Sequence, residues 1–175
     1  MRIIAGRWRG HPIQAPPGDR TRPTADRVRE AWMSMLQPWL PAARVLDLFA
    51  GSGGLGLEAL SRGAAHATFV ERAGPAVKTL RANIERLEAG ASCTVVRGDA
   101  IAFVERLEPG AYDLVMADPP YDSGDAERLV TLFLQRPFAD VLWIEHRFTD
   151  PLPPSPERDT RRYGDTLLTR YLAPE

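Results

Sequence analysis

One cysteine, one lysine and no apolar stretch of membrane-spanning length are what 175 residues lack most conspicuously. A lone Cys93 excludes an internal disulfide and fits a reducing compartment. In a strand-like run that thiol reads as a small buried hydrophobe. His11, His66 and His146 have no metal-ligand spacing and no Cys/His cluster suggests zinc, so no metal is expected. Residues 1–7 lack the apolar core of a signal peptide, so a cytoplasmic location is expected. Nothing in the sequence requires a dimer, and a monomer is expected. There is no internal repeat.

With lysine nearly absent, arginine carries the positive charge. Residues 1–29 hold seven arginines, at 2, 7, 9, 20, 22, 27 and 29, against Asp19 and Asp26, in a chain of net charge −1. Arginine's planar fork suits phosphate contacts and stacking better than lysine's point charge. Trp8 between Arg7 and Arg9 suits single-stranded RNA, and core packing would suit its ring equally well. Arg2, Arg7, Trp8, Arg9, Arg20, Arg22, Arg27 and Arg29 are therefore candidates for nucleic-acid contact. Taken singly, any of these arginines could be ordinary solvated charge. Their clustering favours a function.

The segment from Arg2 to Pro17 predicts a short hairpin bending at Gly6–Gly10, followed by a Pro16-Pro17-Gly18 loop. Thr24 is placed to cap a helix whose apolar stripe is Val28, Ala31, Trp32, Met35 and Leu36, with Arg27 and Arg29 facing outward. Pro38 ends it. From Arg44 the pattern alternates: strands at 45–49, 67–71, 93–97, 112–117 and 141–145 are separated by helical stretches. Residues 150–156 are proline-rich loop, and Arg161 to Leu172 reads as a closing hairpin around Gly164-Asp165. Repeated βα units predict an α/β fold with a doubly wound, mainly parallel sheet.

The run Asp47-Leu48-Phe49-Ala50-Gly51-Ser52-Gly53-Gly54-Leu55-Gly56 places G-x-G-x-x-G between a strand and a helix, with Glu71 about twenty residues on. That pattern brings backbone close to a ligand and gives Glu71 the ribose hydroxyls of an adenosine. Two carboxylates favour S-adenosylmethionine over NAD. Asp47, before the glycines, would be repelled by a pyrophosphate and attracted to an ammonium and sulfonium. Asp99, after the third strand, can accept from an adenine amino group. Turn or cap duty is the alternative for both. Phe49 and Ala100, beside these carboxylates, complete the cofactor-binding set with Asp47, Gly51, Gly53, Glu71 and Asp99.

Asp118-Pro119-Pro120-Tyr121 is the most informative feature. It follows an apolar run, Tyr112 to Ala117, so it sits at the carboxyl end of a buried strand, where ligands bind in open α/β sheets. The carboxylate can accept an N–H bond, the prolines fix φ and free a carbonyl from ladder duty, and the ring can stack on a base. Each part suits chemistry on the exocyclic amine of a nucleobase. Asp118 and the Pro119 carbonyl would each accept one amine hydrogen, directing the nitrogen lone pair at a methyl carbon.

Arg2-Ile3-Ile4-Ala5-Gly6-Arg7-Trp8-Arg9-Gly10, Arg22-Pro23-Thr24-Ala25-Asp26-Arg27-Val28-Arg29-Glu30, Leu46 to Gly53 and Asp118 to Tyr121 occur in that order. Together they resemble the bacterial small-subunit ribosomal RNA guanine-N2 methyltransferases of the RsmD type, which modify position 966 of 16S RNA. The two N-terminal motifs make the match specific, because the glycine run and the Asp-Pro-Pro-Tyr turn are shared with many methyltransferases. The resemblance implies a class I, Rossmann-like fold: a mainly parallel seven-stranded sheet with an antiparallel last strand. It implies an RNA-binding extension over 1–21 and a methyltransferase domain over 22–175. Asp118, Pro119, Pro120 and Tyr121 match the family's catalytic turn, in which the ring matters and the hydroxyl is dispensable. The implied partners are S-adenosyl-L-methionine and 16S rRNA in the small subunit or its assembly intermediate. The rival readings are a DNA adenine-N6 methyltransferase, a NAD-binding oxidoreductase and a non-catalytic RNA-binding module.

Overall fold

Five apolar runs form β1 (Arg44–Leu48), β2 (His66–Glu71), β3 (Cys93–Arg97), β4 (Tyr112–Ala117) and β5 (Ala139–Arg147), each parallel to its neighbours among the five. The computed structural model of the chain describes residues 1–15 and 23–175. Arg20, Arg22, the Pro16–Gly18 loop and the Thr24 side chain lie outside the described residues. Parallel neighbours need crossovers. These are α2 (Gly54–Ser61), α3 (Gly74–Arg86), α4 (Ala100–Glu105) and α5 (Asp125–Gln135). The expected closing hairpin is β6 (Asp159–Tyr163) and β7 (Thr166–Leu172), turning at Gly164 with φ +62°. Strand order is β3-β2-β1-β4-β5-β7-β6, with β7 antiparallel to both neighbours.

Strand alternation sorts the core into two faces. Leu46, Leu48, Val115, Ala117, Leu142 and Ile144 pack with α4 and α5. Val45, Leu114, Met116, Val141 and Trp143 pack under α1 (Pro23–Leu36). The chain leaves β1 toward β2 and β3 on one side, and β4 and β5 lie on the other. The strand order therefore reverses between β1 and β4, which opens a crevice at their carboxyl ends. Both motif loops leave the sheet there. Among the described residues no helix is long and apolar enough to cross a membrane.

Two sequence expectations change at the N-terminal end, those for Trp8 and Arg29. Residues 1–15 do form the expected short hairpin, the antiparallel bridge Arg2↔Pro12 being flanked by bonds from the Ile3 N–H to the His11 carbonyl, the Ile13 N–H to the Met1 carbonyl and the Gly10 N–H to the Ile3 carbonyl. Their apolar side chains Ile3, Trp8 and Ile13 are buried against Leu57, Leu60, Phe69, Leu80 and Ile84. Glu58 of α2, fully buried, accepts from the Ile4 N–H at 2.7 Å and the Ala5 N–H at 3.2 Å. Trp8 is thus a core residue with 7% exposure, and its ring is not presented for stacking on RNA. The reason is hydrophobic: an indole gains more from this pocket than from water. Arg29 does not face outward either. It shares the buried side of α1 with Val28, Trp32, Met33 and Leu36, and its guanidinium donates to the Arg2 carbonyl at 2.7 Å. That bond ties α1 to the N-terminal loop, while burial holds the guanidinium below its ordinary pKa.

Candidate active site

A cavity of about 390 Å³ opens at the crevice between β1 and β4. It is lined by Phe49 after β1, Val70 and Glu71 at the end of β2 and Arg72 after it, Gly98, Asp99 and Ala100 after β3, Asp118 to Tyr121 after β4, Asp125 and Glu145. Four strands therefore deliver the expected residues to one place. Phe49, Glu71, Asp99, Ala100, Asp118, Pro119, Pro120 and Tyr121 all line it.

The glycine turn is held from two sides. Glu71 accepts from the Gly51 N–H at 2.8 Å and, through its other oxygen, from the Ala73 N–H at 2.9 Å. Each carboxylate oxygen has a second lone pair, so Glu71 can still accept from a ribose. Phe49 has φ +57°, a conformation costly for a residue with a side chain. Gly51 has the same φ of +57°, and no heavy atom lies within 4 Å of where its Cβ would be. Gly56 needs no unusual φ; its hydrogen is required because a Cβ would overlap the Phe69 ring. Gly51 and Gly53 thus shape the turn without lining the cavity.

Asp47 is placed differently from the sequence expectation. Its carboxylate is buried beneath the turn, facing α2, and accepts from the Gly56 N–H at 2.9 Å. It does not line the cavity. Burial raises its pKa to about 8, opposed by the Gly56 bond. A carboxyl whose folded pKa is raised stabilises the fold when protonated. That contribution is complete below 3.8 and is lost as pH rises through about 8. Asp47→Asn keeps the acceptor and removes the charge. It is expected to flatten the fall in Tm across that window, followed by circular dichroism; an unaltered fall would show that Asp47 is already ionised.

Asp99 caps α4, accepting from the Ala102 N–H at 2.9 Å, so the cap reading holds. It lines the cavity as well. The two roles coexist because the second oxygen remains for a ligand.

On the opposite wall, Asp118 is exposed, and its N–H reaches the Leu48 carbonyl at 3.4 Å, joining the loops after β4 and β1. Pro119 is buried and Pro120 exposed. The Pro120 carbonyl accepts from Ser123 Oγ at 2.8 Å. Tyr121 differs from expectation in one respect. Its hydroxyl donates to Glu145 Oε1 at 3.0 Å, so it is not idle. Burial, then the nearby Glu145 charge, push its pKa to about 12. The Arg147 guanidinium covers one face of the ring at 4.3 Å. The other face is the one left for a base.

Glu145 and Arg147 were not foreseen as site residues. Between them, His146 has its side chain on the opposite face of the strand by alternation. His146 is buried, donates through Nδ1 to the Arg147 carbonyl at 3.0 Å and lies 2.7 Å from Thr169 Oγ1. Burial lowers its pKa. It is a structural residue.

The cavity's charge discriminates among cofactors. Among the described residues that line it, Glu71, Asp99, Asp118, Asp125 and Glu145 stand against Arg72. A dinucleotide's pyrophosphate would be repelled, whereas an adenosine carrying a sulfonium and an ammonium is complementary. These residues fit S-adenosylmethionine, with Glu71 for the ribose and Asp99 for the adenine amine.

The family model described as conserved hypothetical protein 95 matches residues 1–170. The chain belongs to this family. Among curated relatives, Ribosomal RNA small subunit methyltransferase D of Escherichia coli strain K12 is 38% identical over 159 residues, 89% of this chain and 79% of that protein. The solved structure of yhhF from Escherichia coli is 36% identical, with a TM-score of 0.84 over 99% of this chain and 97% of that one. Likeness of fold alone extends to an RNA methyltransferase from Salinibacter ruber in complex with S-adenosyl-L-homocysteine. That chain is 14% identical, with a TM-score of 0.66 over 90% of this chain and 95% of that one. The sheet is accordingly that of a class I methyltransferase, and the resemblance read from the N-terminal motifs holds. Family membership and cavity charge together remove the NAD-dependent oxidoreductase reading.

Proposed function

We propose that the chain methylates the exocyclic N2 amine of a guanine, position 966, in small-subunit ribosomal RNA. The observation that carries this reading is that Asp118 and Tyr121 line one cavity together with Glu71 and Asp99. A base amine and an adenosine cofactor would thus meet within one site. When bound, S-adenosylmethionine supplies the electrophilic methyl group; Glu71 and Asp99 hold its ribose and adenine.

The N2 lone pair is delocalised into the purine ring, so the amine is a poor nucleophile. Asp118 and the Pro119 carbonyl each accept one N–H, which lets the nitrogen pyramidalise and fixes its direction. Catalysis rests on orientation and on electrostatics aimed at the charge that develops on nitrogen. Asp118 or water takes the proton that the product nitrogen releases. The base must leave its stack, at a few kcal/mol. Stacking on the uncovered face of Tyr121 offsets about 1–3 kcal/mol of that.

Arg2, Arg7, Arg9 and Arg27 are exposed and supply phosphate contacts in this reading, with Arg20 and Arg22 of the connecting segment. Trp8 contributes indirectly: the Arg7 guanidinium lies 4.2 Å over its ring, which fixes the cation at the surface. The extension over 1–21 binds RNA and 22–175 carries the chemistry, in a cytoplasmic monomer. Changing Arg7, Arg9 and Arg27 to glutamine is expected to weaken RNA binding equally for all sequences. The slope of log affinity against log salt should fall by about 0.7–0.9 per lost contact. An unchanged slope would return these arginines to ordinary surface charge.

The function is tested with purified protein and small subunits from cells that lack it. Nucleoside mass spectrometry should show gain of one N2-methylguanosine. N6-methyladenosine, or no methylated nucleoside, would reject the reading.

A further inference from the structure

The parallel register of β4 and β5 pairs Met116 with Trp143 and Ala117 with Ile144. Continued by one step, it sets position 118 beside position 145 on the same face, about 4.8 Å away across the strands. Both residues line the cavity. Two carboxylates therefore stand side by side where the target base must enter, and amine capture uses only one.

Glu145 is held in place. Its Oε1 accepts from the Tyr121 hydroxyl at 3.0 Å, and Arg147, two residues on and on the same strand face, covers the Tyr121 ring. No salt bridge reaches Glu145 among the described residues. A carboxylate offers about four acceptor positions, and the Tyr121 hydroxyl takes one of those of Glu145. Burial pushes the Glu145 carboxyl up and the Tyr121 bond draws it back, so a second donor would favour its ionised form.

The purines differ at the ring position next to the amine. Guanine presents N1–H, a donor, beside its N2 amine. Adenine presents an unprotonated N1, an acceptor, beside its N6 amine. Guanine N2 is flanked by N1–H and N3; a base seated with its amine on Asp118 and the Pro119 carbonyl and its N1 edge toward β5 would set N1–H against the Glu145 carboxylate.

Resting on the reading under Proposed function, we propose that Glu145 accepts the N1–H of the target guanine and is the residue that selects guanine over adenine. An adenine would set its N1 lone pair against a carboxylate, leaving both unpaired. The Asp-Pro-Pro-Tyr turn serves any aryl amine; the residue at 145 decides which purine is accepted.

The test is a two-by-two cycle. Small-subunit RNA carrying guanine or 2-aminopurine at the target position is offered naked and after assembly with the subunit proteins. Wild type and Glu145→Gln are compared. 2-Aminopurine keeps the N2 amine but has an unprotonated N1. It also lacks O6, so the cycle rather than either change alone isolates the contact. Wild type is expected to prefer guanine in kcat/KM by about tenfold or more, as for loss of a specifying hydrogen bond. Glu145→Gln can donate to N1, so its preference should shrink by about tenfold. Glu145→Asp, which keeps the charge but withdraws it by one methylene, should lose preference without gaining activity on 2-aminopurine. It provides the comparison should the glutamine variant fold poorly, and calorimetric S-adenosylhomocysteine binding checks both variants for an intact cofactor site. A wild type that treats the two bases alike, or a preference that survives both substitutions, overturns the inference alone. Absence of methylation by wild type on guanine RNA in either form removes the underlying reading and the inference with it.

Discussion

Asp118→Ala is expected to lower kcat by about 10²–10⁴-fold while S-adenosylhomocysteine binding, measured by calorimetry, stays within about twofold. The separation follows from where the residue sits. Asp118 is exposed at the cavity rim and belongs to neither hydrophobic face of the sheet. Its backbone N–H on the Leu48 carbonyl ties its loop to β1, and alanine retains that group. The cofactor's expected partners, Glu71 and Asp99, leave β2 and β3, so they do not depend on the carboxylate. Asp118→Asn keeps one acceptor oxygen but cannot take a proton, and should fall between the alanine variant and wild type. Parallel loss of turnover and cofactor binding in Asp118→Ala would give the residue a structural role instead.

Tyr121→Ala is expected to reduce kcat/KM on RNA by about two orders of magnitude. It removes a stacking platform worth about 1–3 kcal/mol per base and strips Arg147 of the ring it covers. Tyr121→Phe should cost less, within about tenfold, yet it should not be silent. The hydroxyl is the donor to Glu145, and leaving a partly buried acceptor without its donor costs about 1–3 kcal/mol, discounted here by solvent access. That bond also holds the Glu145 pKa down, so the phenylalanine variant should lose activity at a higher pH than wild type as pH falls. Activity profiles of the two variants separate the effects. Equal damage from both would mean that the hydroxyl, rather than the ring, carries the role.

The sheet was legible because its central strands β1, β2, β4 and β5 are largely buried and read as apolar runs separated by turn signals. β1 to β5 fall within two residues of their expected ends. The site was legible for a related reason: Asp118, Asp99, Glu71 and the glycine turn each sit at or just past the carboxyl end of a strand, so topology alone gathers them at one edge. What the sequence hid depends on facing and depth. Trp8 between two arginines suggests an exposed ring, and only its packing against Leu57 and Phe69 shows a core residue. Arg29 looked solvated because a charge inside a helical stripe is read as off the stripe. Its acceptor, the Arg2 carbonyl, lies twenty-seven residues away in sequence. Glu145 and His146 are the sharpest case. The expected strand at 141–145 ends at this pair, but the period of two decides which neighbour points into the cavity, and that phase is set by pairing with β4.

The account depends most on how the amine of the base is held. A crystal structure with S-adenosylhomocysteine and an RNA fragment carrying the target guanine tests this directly. The account predicts one Asp118 oxygen and the Pro119 carbonyl each within about 3.2 Å of N2, with the base stacked on the Tyr121 face opposite Arg147. A guanine seated in the cavity with Asp118 turned away from N2, or N2 directed at Glu145 alone, would contradict it.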